Sequence, residues 1–236
     1  MPAQQTAIIT GAAGGIGSGL VEGFLNAGYR VVATSRDTSS LAASPNLVLV
    51  NGDIASPNIA SSVADAALHN FGTIDALVNT AGIFRKNSFT DYTPDDINAL
   101  FTTNLLGFLY ITQLAVKQML KQQSGSVVTI SAALADHPVA GVNASVSMMT
   151  KGALNTITRN LATEYAAQGI RFNAVAPGVV ATLLHTDVVA AAQAERQPMK
   201  TITQVSDIVD AVLYLTRAKQ VSGEILYVDG GSHAGR

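Results

Sequence analysis

Apolar and polar positions follow two rhythms along this chain. Short, nearly unbroken apolar runs alternate with longer stretches in which apolar residues recur every three or four positions. The runs Ala7–Thr10, Arg30–Thr34, Leu47–Val50, Ala76–Asn79, Gly125–Ile130, Ile170–Val175 and Glu224–Val228 read as strands. Gly15–Ala27, Ser56–Asn70, the stretch from Pro94 through Lys121, Ser145–Gln168 and Val205–Arg217 read as helices. Strands without a polar face are covered on both sides, as in parallel sheets. The pattern therefore predicts an α/β fold, a doubly wound parallel sheet with helices on both faces and right-handed crossovers. A length of 236 residues suits a single domain spanning 1–236. The one long connection, Thr182–Thr201, is rich in Ala and Gln, contains Pro198 and is expected to form a substrate lid.

Composition narrows the function. Charged residues are only 13% of the chain and hydrophobic ones 48%, which excludes a disordered protein. The net charge is −2 without a basic block, so neither nucleic acid nor an anionic membrane surface is an expected partner. The absence of cysteine removes disulfides, thiolate catalysis and cysteine-based metal sites. No pair of the four histidines has ligand spacing, so no metal site is expected. The uncharged stretch Ile97–Val116 is long enough to raise the question of a membrane span. It also carries Asn98, Thr102, Thr103, Asn104, Thr112 and Gln113, which suit a buried helix better. The first residues lack the basic start and apolar core of a secretory leader, so a cytoplasmic location is expected.

The candidate chemistry begins after the first strand. Thr10-Gly11-Ala-Ala-Gly-Gly15-Ile16-Gly17 joins that strand to the first helix. Glycines at such a turn let backbone approach a pyrophosphate, which then sits on the positive helix N-terminus. Three residues separate the first two glycines, where the commonest dinucleotide fingerprint has one. With this spacing the chain resembles the short-chain dehydrogenase/reductase family. Asp53-Ile54 after the third strand, Asn79-Thr-Ala81-Gly82 after the fourth, and Asn104-Leu-Leu-Gly107 in the long helix extend the resemblance. So do Pro177-Gly178-Val-Val180-Ala-Thr182 and Val228-Asp-Gly-Gly231, which together carry it along nearly the whole chain. The resemblance implies a Rossmann-type domain that binds NADP(H) or NAD(H). It assigns Gly11, Gly15, Ile16, Gly17, Ser35, Arg36, Asp53, Ile54, Asn79, Ala81, Gly82, Lys151, Pro177, Gly178, Val180 and Thr182 to the cofactor.

Cofactor preference turns on the end of the second strand, Ala33-Thr-Ser35-Arg36-Asp37. NAD enzymes usually place an acid where Ser35 stands, to accept from the ribose 2′-hydroxyl. A guanidinium one residue later suits a 2′-phosphate. NADP(H) is therefore favoured over NAD(H). Asp37 either reaches the ribose one residue late or pairs with Arg36 on the surface.

The resemblance also implies a catalytic Ser, Tyr and Lys, with an Asn that holds a water. Tyr exchanges the proton at the carbonyl oxygen, Lys lowers the Tyr pKa and holds the nicotinamide ribose, and Ser polarises the carbonyl. Asn104 and Lys151 match. The Tyr position, four residues before Lys151, is Ser147, and no Tyr occurs between Tyr110 and Tyr165. The catalytic Ser position is Ala132, with Ser131 a substitute only if the strand end is displaced. The loop between Ala132 and Ser147 is about two residues longer than the common form. Asn104, Ser131, Ser147 and Lys151 are thus the catalytic candidates of a divergent branch. Ser147 is a poor direct acid but could hold a relaying water. His137, with Asp136 to orient it, and His185 in the lid are the other candidate acids. His69 and His233 are expected to lie outside the site.

Two readings of function stay open at this point. One is an NADP(H)-dependent oxidoreductase acting on a small carbonyl, alcohol or related substrate through an atypical proton relay. The other is a nucleotide-binding sensor or partner subunit without turnover. A homotetramer or homodimer is expected from the family and from the low charge.

Overall fold

The computed structural model describes residues 4–182, 194–195 and 197–235. Seven strands are present among the described residues: β1 (Thr6–Thr10), β2 (Arg30–Ser35), β3 (Leu47–Asn51), β4 (Ala76–Asn79), β5 (Gly125–Ile130), β6 (Ile170–Pro177) and β7 (Ile225–Val228). All pair in parallel, in the order β3-β2-β1-β4-β5-β6-β7. The order reverses between β1 and β4, so the carboxyl ends of those strands open a crevice suited to a ligand.

Successive strand residues point to opposite faces, which explains why both must be apolar. Ile9, Val31, Val78 and Val128 face one layer, where Leu20 and Phe24 of helix α1 (Gly15–Asn26) meet Ile208, Val212 and Leu215 of helix α6 (Val205–Arg217). Ile8, Val32, Leu77 and Val127 face the other. There they pack on α2 (Pro57–Phe71) and α4 (Gly107–Gln122), and Phe172 of β6 joins the same cluster. Helix α5 (Ser145–Glu164) covers β6 on that side through Ala162 and Leu161.

The predicted helix from Pro94 is interrupted. Helix α3 (Pro94–Phe101) starts at a capping box made by Thr93 and Asp96 and passes into a π turn over Thr102–Leu106 before α4 begins. Gly107 donates to the Thr102 carbonyl, an i→i+5 bond that marks the extra residue. Pro94–Gln122 as a whole is long and apolar enough to cross a membrane by length and composition. In the fold α4 instead buries Ile111, Ala115 and Met119 against the sheet layer. The predicted Ser145–Gln168 helix also ends early, at Glu164, followed by a short 3-10 turn over Ala166–Gln168.

The proposed lid falls mostly outside the described residues, as do Leu183, Leu184, His185, Val188 and Val189. The residues that flank it are pinned together, since Ala181 donates to the Thr203 carbonyl at 2.8 Å.

Candidate active site

A cleft of about 1310 Å³ opens along the carboxyl ends of the strands. Every residue assigned to the cofactor from the sequence lines it except Asn79. Asn79 is buried below the cleft and donates to the Thr112 hydroxyl at 3.0 Å.

At the glycine turn the backbone is packed to its limit. Gly11 has φ +64°, and a Cβ there would lie 2.8 Å from the Ala81 backbone. A Cβ on Gly17 would lie 2.1 Å from the Gly11 carbonyl oxygen. The turn therefore tolerates no side chain at either place, and strand-to-loop contact is direct. The Thr10 hydroxyl ties the same point together by accepting from the amides of Thr80 and Ala81, both at 3.1 Å. The α1 N-terminus carries no side-chain cap, and its first bond to the turn is from Ser18 to Gly14. Gly15, Ile16 and Gly17 line the cleft, and among the described residues their amides have no acceptor outside the helix, as suits a pyrophosphate. The Thr80 hydroxyl, also at the cleft, is buried without a partner. These features fit a dinucleotide.

At the adenosine end, Ser35, Arg36 and Asp37 line the cleft. Asp37 does not pair with Arg36. Its carboxylate accepts from the Ser39 amide at 2.8 Å, and hydrogen bonds from Ser39 hold it below the usual carboxylate range. Among the described residues Arg36 has no acidic partner. Asp53 likewise turns back on its own chain, accepting from the Ala55 amide at 3.0 Å.

The four catalytic candidates have different fates. Lys151 lines the cleft and donates from Nζ to the Ile130 carbonyl at 2.8 Å. Protein atoms crowd its ammonium although the residue keeps some exposure, and this burial lowers its pKa from 10.5 to about 8. Ser131 lines the cleft, but the strand end is not displaced. Its amide continues the β6 pairing through the Val175 carbonyl, and its hydroxyl donates to the Lys151 carbonyl at 3.3 Å. Ala132 lines the cleft beside it. Ser147 is buried and absent from the cleft wall. Its hydroxyl donates to the Arg85 carbonyl at 2.8 Å and accepts from the Arg85 amide at 2.9 Å, which leaves no hydroxyl hydrogen for a substrate or relay water. Asn104 is also buried. It accepts from Ile83 N at 2.8 Å, and donates to Ile83 O at 3.0 Å and to Thr150 Oγ1 at 2.9 Å. Its side chain clamps a loop to α5 instead of facing the cleft.

Two expectations about the neighbouring acids change. Asp136 does not orient His137. It accepts from Tyr227 Oη at 2.8 Å and from Asn155 Nδ2 at 2.7 Å. His137 does reach the cleft, but its ring packs edge-on against Tyr227, with centroids 5.0 Å apart. His233, set aside as peripheral, lines the cleft with Asp229, and Nδ1 lies 2.9 Å from Asp229 Oδ1. The i,i+4 spacing of Asp229 and His233 was the available sequence signal. The glycines between them turn the chain back so that the two meet. None of the six tyrosines lines the cleft. The phenol of Tyr227 is pushed up to about 12, by burial first and by its bond to Asp136 second.

Residues 11–233 match the family model described as enoyl-(acyl carrier protein) reductase. The chain belongs to the short-chain dehydrogenase/reductase family. It is 32% identical to a 2,3-dihydroxy-2,3-dihydro-p-cumate dehydrogenase of Pseudomonas putida, over 97% of this chain and 94% of that protein. It is 31% identical to a porcine (Sus scrofa) NADPH carbonyl reductase, over 95% of each. Among solved structures it resembles ElxO with NADP bound, at a TM-score of 0.91 and 26% identity over 98% of this chain and 99% of that one. A 3-ketoacyl-(acyl-carrier-protein) reductase of Brucella melitensis complexed with NADH matches at a TM-score of 0.90 and 25% identity, over 97% and 98%. The protein is thus an oxidoreductase of the short-chain type.

Proposed function

We propose that the protein is an NADP(H)-dependent oxidoreductase for a small, uncharged carbonyl or its alcohol, with the proton handled by a group other than Ser147. The observation that carries the cofactor half is Arg36, without an acidic partner among the described residues, on the wall of the cleft that also holds the uncapped α1 N-terminus. The amides of Gly15, Ile16 and Gly17 suit the pyrophosphate, and the Arg36 fork suits a 2′-phosphate. NADP-bound and NADPH-named relatives support the same choice. Bound nicotinamide supplies or accepts the hydride. Lys151, anchored on the Ile130 carbonyl, holds the ribose next to it by the family resemblance.

The cleft wall carries Phe84, Leu134, Val139, Val142 and Met148 alongside Lys86, Asp229 and His233. The apolar side chains suit an apolar part of the substrate, and an unpaired charge set against them is costly. This favours an uncharged substrate. Ile97, Phe101, Leu106 and Met149 leave large apolar side chains exposed on the α3–α5 side, which supports association into a homodimer or homotetramer. Light scattering at micromolar concentration tests that, and a monomer mass contradicts it. Calorimetric titration with NADPH and NADH tests the cofactor assignment. Tighter binding of NADPH is the expected result, and equal affinities overturn it.

A further inference from the structure

We propose that His233, held by Asp229, is the acid/base group that exchanges the proton with the substrate oxygen in place of the missing tyrosine. The proposal rests on the oxidoreductase reading above and adds the residue that completes its chemistry.

The geometry is that of an oriented imidazole. Asp229 is almost wholly buried, its side chain 1% exposed, and it packs against the Pro177–Gly178 segment, since a Cβ on Gly178 would lie 2.8 Å from Asp229 Cβ. Its carboxylate accepts from the amides of Gly231 at 3.1 Å and His233 at 2.9 Å, so the turn that carries His233 is built on it. Oδ1 then faces His233 Nδ1 at 2.9 Å. An ionised carboxylate only accepts, so Nδ1 carries the hydrogen and the exchangeable site is Nε2. Among the described residues Nε2 has no hydrogen-bond partner. Tyr227 stacks on the ring at 4.3 Å and 20°, and His137 packs against it at 5.6 Å, which restricts its rotation. The imidazole remains 32% exposed, so solvent can resupply its proton.

Among the described residues the titratable groups against His233 are Asp229, Tyr227 and His137, with Asp136 and Arg159 acting on Tyr227. Tyr227 donates its hydrogen to Asp136 and is no competitor. Among the described residues His137 makes no hydrogen bond to a carboxylate, and Asp136 Oδ2 accepts from Tyr227 and Asn155 instead. In the reductive direction a bound reduced nicotinamide would supply the hydride to the carbonyl carbon and be oxidised. The C=O π pair moves onto oxygen, the Nε2–H bond of the imidazolium breaks, and an O–H bond forms. The neutral imidazole then takes a proton from water. Oxidation of the alcohol reverses each transfer. Asp229 is a positioning residue in this scheme.

The test uses the full chain with NADPH and 4-nitrobenzaldehyde, an uncharged carbonyl probe. The unmutated protein should show a rate that falls on the alkaline side as one group loses its proton. His233→Gln should lower kcat by about 10²–10⁴-fold and abolish that pH limb, with NADPH affinity changed less than about threefold. Asp229→Asn should lower kcat and displace the limb. Nitrogen-15 spectra of the imidazoles give a readout independent of turnover, with His233 in the Nδ1–H form and the Asp229→Asn variant losing that preference. A His233→Gln variant that keeps rate and profile overturns the proposal, as does loss of the limb in His137→Gln or Lys151→Arg instead. NADPH binding without turnover of the aldehyde overturns it while leaving the cofactor assignment standing. Failure to bind NADPH overturns the underlying reading.

Discussion

Ser147 and Arg85 hold each other by a reciprocal pair of hydrogen bonds, hydroxyl to carbonyl at 2.8 Å and amide to hydroxyl at 2.9 Å. The same Arg85 carbonyl accepts from Tyr92 Oη at 2.8 Å, and the Arg85 guanidinium pairs with Asp96 in the cap of α3. The residue at the family's tyrosine position has thus become a fastener between α5 and the loop after β4. Ser147→Ala should leave a part-buried amide unbonded and cost about 1–3 kcal/mol of stability. Denaturant unfolding measures this, and an unchanged midpoint contradicts it. Ser147→Tyr sacrifices the same two bonds and should destabilise as well.

Gly17→Ala should disable the nucleotide site. The new methyl would meet the Gly11 carbonyl oxygen at 2.1 Å and the Gly11 carbonyl carbon at 2.8 Å, both backbone atoms with no side chain to yield. Overpacking of this kind costs about 1–3 kcal/mol. Because the strain falls on the pyrophosphate turn, NADPH affinity should drop about tenfold or more. Calorimetry of a folded variant with unchanged affinity contradicts this.

Lys151 makes stability depend on pH in a defined direction. Burial lowers its pKa from 10.5 to about 8, so the unfolded chain binds more protons between those values. Unfolding free energy from this group therefore rises with pH from about 8 to 10.5, and below about 8 the cost of the buried ammonium is present in full. Lys151→Met should raise stability at pH 7 by about 1–3 kcal/mol and remove the rise. The check is the difference between the two proteins' denaturation midpoints from pH 6 to 10.

Arg36→Ala should narrow the preference for NADPH over NADH. A charge-assisted hydrogen bond is worth about 1.5–3 kcal/mol, so the ratio of affinities should fall about tenfold or more. Paired titrations of variant and unmutated protein decide it. An unchanged ratio would assign the preference to Ser35 or to another group at the adenosine end.

The strands were legible because a residue buried on either face of a parallel sheet must be apolar. Ile8 and Ile9, or Val127 and Val128, serve opposite layers and so appear as one run. The glycine turn was legible because backbone approach admits few alternatives. Periodicity did not reveal the π turn, since one extra residue leaves the neighbourhood as apolar as before. Motif position located Ser147 but not its partner, because Arg85 lies 62 residues away in sequence. His233 was missed for the opposite reason. Its partner Asp229 is only four residues away, but nothing in a Gly-Gly-Ser tail shows that the tail folds back onto a cleft.

The π turn over Thr102–Leu106 also sets the angular phase of the helix that follows. One residue turns an α-helix by about 100°. Ile111, Ala115 and Met119 face the sheet only because the count before them includes that residue. Removing Thr103 would regularise the helix locally and swing this stripe toward solvent, or else drag Asn104 out of its clamp on Ile83 and Thr150. The bulge is a spacer that lets one helix satisfy two unrelated demands, an amide aimed at a loop and an apolar stripe aimed at a sheet.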